Sequence, residues 1–311
     1  MSATAATVQT RFIARQPIFN REQKVTAYEL LFRQTATNFF TGNDPDLATK
    51  KVMDTAMLVG VNALSNGRSI YVNCTRDTIV NGYITLFSPK VTVVEILETV
   101  NPDPDLISAC RELREAGYRI ALDDFRDHPC LAPLTELADI IKVDFQSSSP
   151  AVRAELVRKY AHTPKQLLAE KIETHEEFAT AAELGYKLFQ GYLFCKPVVF
   201  STRDIPGSHA THLRMLQAAN APELNFFALA ALIKSEPALY QRFVRYLNSA
   251  ALSFRRELKS IVHALMQLGE QNVRKWLTLI CAVLASERRA LEHATMVSTG
   301  QPPLVHVRNA V

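Results

Sequence analysis

Asn73, Glu95, Asp124, Asp144 and Glu170 each close a short apolar run, and each carries an oxygen that can hold a hard cation. The runs are 68–73, 91–95, 118–124, 138–144 and 165–170, all rich in Val, Ile and Leu. Carboxylate and amide oxygens suit magnesium or manganese better than softer metals. Thiolate chemistry is not indicated. Cys74, Cys110, Cys130, Cys195 and Cys281 stand far apart, without the C-x-x-C spacing of a zinc site or a pattern that reads as a disulfide framework.

Oxygen ligands scattered through a sequence do chemistry only if the fold gathers them. Most of the apolar runs precede a polar or amphipathic segment long enough for a helix, which is how buried parallel strands read. In an α/β barrel such strand ends share one rim, so the five runs predict convergence. Before them, 11–18 and 25–31 read as two strands joined by a polar turn at 20–24. Helices are predicted over 46–63, 104–116, 151–160 and 175–184, the second and last stopped by Gly117 and Gly185, and 187–194 supplies a last strand. The fold class is therefore α/β, a (β/α)8-type (TIM-like) barrel over 11–200.

Beyond Lys196-Pro197 the pattern changes. Residues 201–208, with Pro206-Gly207, read as a linker. Leu239, Phe243 and Leu247, then Ile261 and Leu265, then Val273, Leu277 and Leu284 form apolar stripes at helical spacing, predicting an all-α module over 209–290. An irregular tail is expected over 291–311, where Pro302-Pro303 excludes a continuous helix to the end. The 311 residues and 48% hydrophobic content suffice for both cores. No apolar stretch approaches a membrane span, and residues 1–10 lack the pattern of a signal peptide, so a cytoplasmic protein with no membrane partner is expected. A net charge of +4 with interspersed signs fits an anionic small ligand and gives no reason to expect duplex nucleic acid.

Several ordered blocks carry a family resemblance: Gln16-Pro17-Ile18, Glu29-Leu30-Leu31-Phe32-Arg33, Val72-Asn73, Glu95-Ile96-Leu97-Glu98, Leu122-Asp123-Asp124-Phe125, Lys142-Val143-Asp144, Glu170-Lys171-Ile172-Glu173 and Gln190-Gly191-Tyr192. In order and spacing the chain resembles EAL domains, bacterial phosphodiesterases that open cyclic di-GMP to the linear dinucleotide pGpG. The signature triplet here reads Glu-Leu-Leu, which leaves its acid in place. The resemblance implies cyclic di-GMP as partner and two Mg2+ or Mn2+ ions as cofactors. It implies that Glu29, Asn73, Glu95 and Asp123 hold one ion and that Asp123 bridges to a second held by Asp124 and Glu170. It further implies Lys142 among the catalytic groups with Glu170, Glu98 steadying the loop after Asp124, Arg33 pairing with a substrate phosphate, and Gln16, Glu173 and Gln190 lining the nucleotide site. Relatives of this kind often pair as homodimers through barrel helices. Two cations about 4 Å apart neutralise phosphoryl oxygens and acidify water, which is what phosphodiester hydrolysis requires.

The C-terminal part resembles HDOD modules, through Glu236-Pro237-Ala238-Leu239, Asn248-Ser249-Ala250 and the stretch from Ser260-Ile261 to Leu268-Gly269. That resemblance covers about 213–286 and implies a shortened copy without a metal site of its own, acting through a protein partner that the sequence does not identify. The barrel departs from the family after its paired aspartates, where Phe125-Arg126-Asp127-His128-Pro129-Cys130 replaces a glycine-containing polar loop, and at Lys171, where the family has glycine. Arg126 and Lys171 are therefore expected to bring fixed positive charge toward the carboxylates and weaken metal binding. Three readings follow: a slow metal-dependent cyclic di-GMP phosphodiesterase; a receptor or scaffold that binds the nucleotide or a protein without turnover; and an enolase-type barrel with three acids on magnesium and a lysine base, whose usual capping domain is missing.

Overall fold

The computed structural model describes residues 9–35, 44–204, 209–247 and 260–299. Strands β1 (Gln9–Asn20) and β2 (Val25–Arg33) form an antiparallel hairpin, its turn closed by the Asn20 side chain accepting from the Lys24 amide at 2.9 Å. Six parallel strands follow: β3 (Ser69–Cys74), β4 (Thr92–Ile96), β5 (Arg119–Leu122), β6 (Ile140–Asp144), β7 (Gln166–Glu170) and β8 (Leu188–Phe189). The sheet runs β2 to β8 in order and then β1, and the β1–β2 pairing closes it into a barrel of eight strands. This is the expected architecture with one modification: β1 runs antiparallel to both its barrel neighbours, and no helix lies between it and β2.

The helices outside the barrel are α1 (Pro45–Val59), α2 (Val61–Ser65), α3 (Arg76–Val80), α4 (Pro104–Glu115), α5 (Ala132–Leu137), α6 (Pro150–Tyr160) and α7 (His175–Leu184). Several start on residues whose oxygen takes an otherwise unpaired helical amide: Asp44, Asp103, Ser149 and Thr174, the last in a reciprocal box with Glu177. The single helix expected over 46–63 is two, broken at Gly60, where φ of 98° is open to glycine and costly for other residues. The last barrel strand is also shorter than expected. Past Phe189 the chain turns at Gly191, where an added Cβ would lie 2.1 Å from the Ile172 carbonyl oxygen, so only glycine lets these two loops meet. The expected linker begins as strand: β9 (Val198–Asp204) pairs antiparallel with the first half of β1, and 205–208 lie outside the described residues.

The all-α module consists of α8 (His209–Asn220), α9 (Phe226–Ser235), α10 (Pro237–Leu247), α11 (Ile261–Leu268) and α12 (Glu270–Thr299). Phe243 and Tyr246 of α10 pack on Trp276 of α12, and the predicted stripes Leu239–Phe243 and Val273–Leu277 are buried. The tail expected to be irregular from 291 is helical as far as Thr299; Pro302-Pro303 and Asn248-Ser249-Ala250 lie outside the described residues. No helix among the described residues is long and apolar enough to cross a membrane.

Module and barrel meet across α1. Its Asp54 is buried and takes Arg11 of β1 at 2.6 Å and Arg242 of α10 at 2.7 Å, while Arg11 also reaches Glu287 of α12 at 2.8 Å. Burial opposes the charge on Asp54, but the two guanidinium groups outweigh it and hold the carboxyl below its ordinary range. Removing the carboxylate would take from Arg242 and Arg11 the buried counter-charge they share, while Arg11 keeps Glu287. Asp54→Ala should cost on the order of 3–5 kcal/mol, read as a drop in the chemical-denaturation midpoint; an unchanged midpoint would show that the network contributes nothing to holding the two parts together.

Candidate metal centre

Side chains alternate along a strand, so a residue two places beyond an interior one also faces the interior. Ile18, Ala27, Tyr71, Val93, Ala121, Ile140, Leu168 and Leu188, one from each barrel strand, form a buried apolar plug. Two residues further toward the mouth stand Gln16, Glu29, Asn73, Glu95, Asp123, Lys142, Glu170 and Gln190. The expected convergence is thus a matter of register: Gln16 lies opposite Glu29, Asn73 beside Glu95 and Glu95 beside Ala121.

Lys142 occupies the centre of this layer, 1% exposed. Its Nζ contacts Glu95 Oε1, lies 2.8 Å from both Asp123 Oδ1 and Glu170 Oε1, and 3.7 Å from Glu29 Oε2. Glu29 in turn accepts from Asn73 Nδ2 at 2.9 Å and Gln190 Nε2 at 2.6 Å. The remaining oxygens decide what else belongs here. Glu95 Oε2 and Glu170 Oε2 are buried and accept no hydrogen bond among the described residues, an arrangement that is expensive for a carboxylate unless a cation completes it. One oxygen each from Glu29, Glu95 and Glu170 lie within 4.8 Å of one another, as do oxygens of Asp123, Asp124 and Glu170. Two ligand groups sharing Glu170 are what a pair of neighbouring divalent cations would need.

Asp124 takes a φ of 38° and Lys171 a φ of 55°, both in the left-handed region that non-glycine residues rarely enter. Lys171 Nζ lies 3.3 Å from Asp124 and 2.6 Å from Asp144 Oδ2. Asp144, which closes β6, therefore serves as a partner for Lys171 and for the amides of Gln146 and Ser147, and stands outside both ligand groups. Arg126 is exposed on the cavity wall and forms no ion pair among the described residues, so of the two cations expected near the carboxylates only Lys171 is drawn in.

Two cavities flank Asp123 and Asp124. One, of about 370 Å3, is walled by Gln16, Glu173, Gln190 and Tyr192 as well as the acids; the other, of about 400 Å3, has Ile96, Val100, Leu122, Phe125 and Leu134 on its walls with Glu98 at its edge. Gln16, Glu173 and Gln190 are thus brought to the mouth. Glu98 is exposed and makes no hydrogen bond to the 125–130 loop among the described residues, so the geometry gives it no steadying contact. Arg33 is buried at the end of β2, its Nη1 donating to the Phe32 carbonyl at 2.7 Å, in a separate apolar cavity that also reaches Asn73. Thr49 of α1 was not singled out in the sequence, yet its hydroxyl donates to the Asn73 carbonyl at 2.9 Å and pins the strand that positions Glu29. No spacing signal marks it.

Burial and the neighbouring carboxylates push Glu95 well above the ordinary carboxylate range, and burial above all carries Glu170 up to about 8 despite Lys142. Burial works against the Lys142 charge too, but Asp123, Glu170, Glu29 and Glu95 together hold its pKa well above the ordinary value. Asp123, opposed by burial, is held low by Lys142. A folded-state acid raised above its unfolded value keeps its proton longer than the unfolded chain does, so stability falls as pH rises between the two. Through Glu170, cation-free protein should therefore lose thermal stability as pH rises from about 4.5 to about 8, and Glu95, raised in the same direction, adds to that loss. The carboxyls held low, Asp54, Asp103, Asp123 and Asp144, act below that window. Melting curves across this range check the sign; stability rising with pH would mean Glu170 is ionised throughout.

The EAL domain family model matches residues 84–197 and the HDOD domain model residues 205–299, the latter wider than the 213–286 expected. Over 275 residues the chain is 34% identical to the uncharacterized protein YuxH of Bacillus subtilis, covering 86% of this chain and 67% of that protein. Over 290 residues it is 30% identical to the cyclic di-GMP phosphodiesterase CdgJ of Vibrio cholerae, covering 92% of this chain and 67% of that protein. The chain thus spans about two thirds of the length of either relative. Among solved structures it is similar to Klebsiella pneumoniae BlrP1 in a manganese/cyclic di-GMP complex, with a TM-score of 0.51 and 21% identity over 63% of this chain and 62% of that one. An EAL domain protein from Listeria monocytogenes gives 0.50 and 22% over 61% and 88%. At such identities the structural likeness speaks for the barrel fold alone.

Proposed function

We propose, from the premise that this chain belongs to the EAL family and carries an HDOD domain behind its barrel, that it is a divalent-metal-dependent phosphodiesterase acting slowly on cyclic di-GMP and yielding the linear dinucleotide. The observation that carries this reading is the pair of ligand groups sharing Glu170, with two buried carboxylate oxygens that no donor among the described residues satisfies. Glu29, Asn73, Glu95 and Asp123 would hold one ion, with Glu170 within reach of it, and Asp123, Asp124 and Glu170 the other. Bound there, magnesium or manganese would supply electrostatic neutralisation of the phosphodiester and a lowered pKa for the attacking water.

The remaining work falls to the chain's own groups. Lys142 supplies positive charge beside the phosphoryl oxygens as negative charge grows on them. Asn73 and Gln190 orient Glu29 through its two oxygens, leaving that carboxylate little freedom to turn away. The two cavities on either side of Asp123 and Asp124 suit a ligand of two halves joined by phosphodiesters, with the Phe125 and Leu122 wall offered to one base and Tyr192 to the other. Gln16, Glu173 and Gln190 would line the nucleotide, and Arg33, just beyond Glu29 on β2, would take a phosphate after turning from its present carbonyl partner. The HDOD domain, packed on α1, would report the state of the site to a protein partner.

A second reading has its own support. The exposed, unpaired Arg126 and the loop behind it differ from the family pattern next to Asp124, and a receptor that binds without turnover would tolerate that change. Incubating the protein with cyclic di-GMP and manganese, and measuring both product and retained nucleotide, separates the two. Slow formation of linear dinucleotide is expected; binding without product would favour the receptor. Glu95→Gln should lower turnover at least about 100-fold, more than loss of an outer-shell partner costs. Because the amide keeps the shape of the carboxyl and removes only its charge and one acceptor oxygen, the circular dichroism spectrum should stay unchanged.

A further inference from the structure

The two ligand groups are unequal. At Glu29, Glu95 and Glu170 the only ammonium among the described residues is Lys142, held at the centre of the barrel. At Asp123, Asp124 and Glu170 a second one stands: Lys171 Nζ, 3.3 and 3.4 Å from the two oxygens of Asp124. Its anchor is Asp144, whose Oδ2 lies 2.6 Å away and whose Oδ1 is fixed by the amides of Gln146 and Ser147 at 2.6 and 3.1 Å. Lys171 is thus tethered beside Asp124 by a carboxylate that belongs to neither ligand group. It remains half exposed, so its side chain can leave for solvent without unpacking the barrel.

From this geometry we infer that Lys171 is a built-in competitor for the second cation, so that the chain holds one divalent ion tightly and admits the other only when the ammonium withdraws from Asp124. The inference rests on the two-group metal reading above and adds that the groups differ in affinity for a reason that one side chain supplies. A fixed positive charge within a few ångströms of a carboxylate lowers its affinity for any other cation, and a divalent ion feels it doubly. Glu170 is common to both groups and buried, and its Oε2 accepts no hydrogen bond among the described residues, from Lys171 or any other donor. Regulation of turnover by the second ion's concentration follows directly, since the first would be filled across conditions in which the second comes and goes.

Manganese titration of the full chain, by calorimetry and by the dipolar broadening of the manganese resonance when two ions are neighbours, tests it with three proteins: unaltered, Lys171→Gly and Lys171→Gln. The unaltered chain should bind one ion tightly and a second at least about tenfold more weakly, with broadening only at the higher concentrations. Both variants should tighten the second ion at least about tenfold and leave the first unchanged. Glycine also suits the φ of 55°, whereas glutamine keeps the length and the backbone demand without the charge. Tightening in Lys171→Gly alone would assign the effect to backbone relief and overturn the inference, as would an unchanged second affinity in both. Absence of manganese binding in all three proteins would instead remove the metal reading on which it rests.

Discussion

An ammonium group cannot stay ionised in a barrel interior unless charge of the opposite sign surrounds it, and Lys142 is fully buried. Everything at the mouth follows from how that requirement is met. Glu29, Glu95, Asp123 and Glu170 arrive on four different strands, and only a closed barrel with fixed register brings their oxygens to one nitrogen. The apolar plug beneath them excludes water from below, which strengthens the attraction and equally raises the cost of any carboxylate oxygen left over. Glu95 and Glu170 each have such an oxygen, and both respond by holding protons more tightly than an exposed glutamate does.

The helical domain enters the same logic from outside. Helix α1 is buried on nearly all sides, because β2 and β3 cover one face and α10 and α12 the other. Its Asp54 ties the two parts together, and five residues earlier its Thr49 holds the carbonyl of Asn73, whose side chain holds Glu29. A short series of direct contacts therefore runs from Arg242 of the helical domain to a carboxylate of the mouth. Contiguity alone does not make a switch. It does mean that a shift of α10 against α1 has no soft layer in which to dissipate before reaching β3.

Much of this was legible in the sequence, for identifiable physical reasons. A buried parallel strand must be apolar along its length, so an acid at its end stands out, and Asn73, Glu95 and Glu170 were visible on that ground alone. The all-α stripes were visible because helical period and apolarity coincide in Leu239, Phe243, Val273 and Leu277. What stayed hidden depends on partners distant in sequence. β9 is a strand only because β1 offers it an open edge. The break at Gly60 turns on one dihedral angle. Asp144 reads as another strand-end ligand until the structure pairs it with Lys171, and Glu98 reads as part of a motif although it is exposed and makes no hydrogen bond to the 125–130 loop among the described residues.

Charge at the mouth points the same way as the geometry. Glu29, Glu95, Asp123, Asp124, Asp144 and Glu170 bring six carboxylates, against which stand the two ammonium groups of Lys142 and Lys171. Fully ionised, the set carries four surplus negative charges, the number that two divalent cations would cancel. Protons can offset part of that surplus, and the raised Glu95 and Glu170 show where they would go. A proton, however, satisfies one oxygen and leaves its neighbour bare, whereas a cation of coordination number six is satisfied by several oxygens at once. The bare oxygens of Glu95 and Glu170 lie in a cluster that draws on five strands and the loops beside them, which is the arrangement that a shared ion uses and that scattered protons do not require.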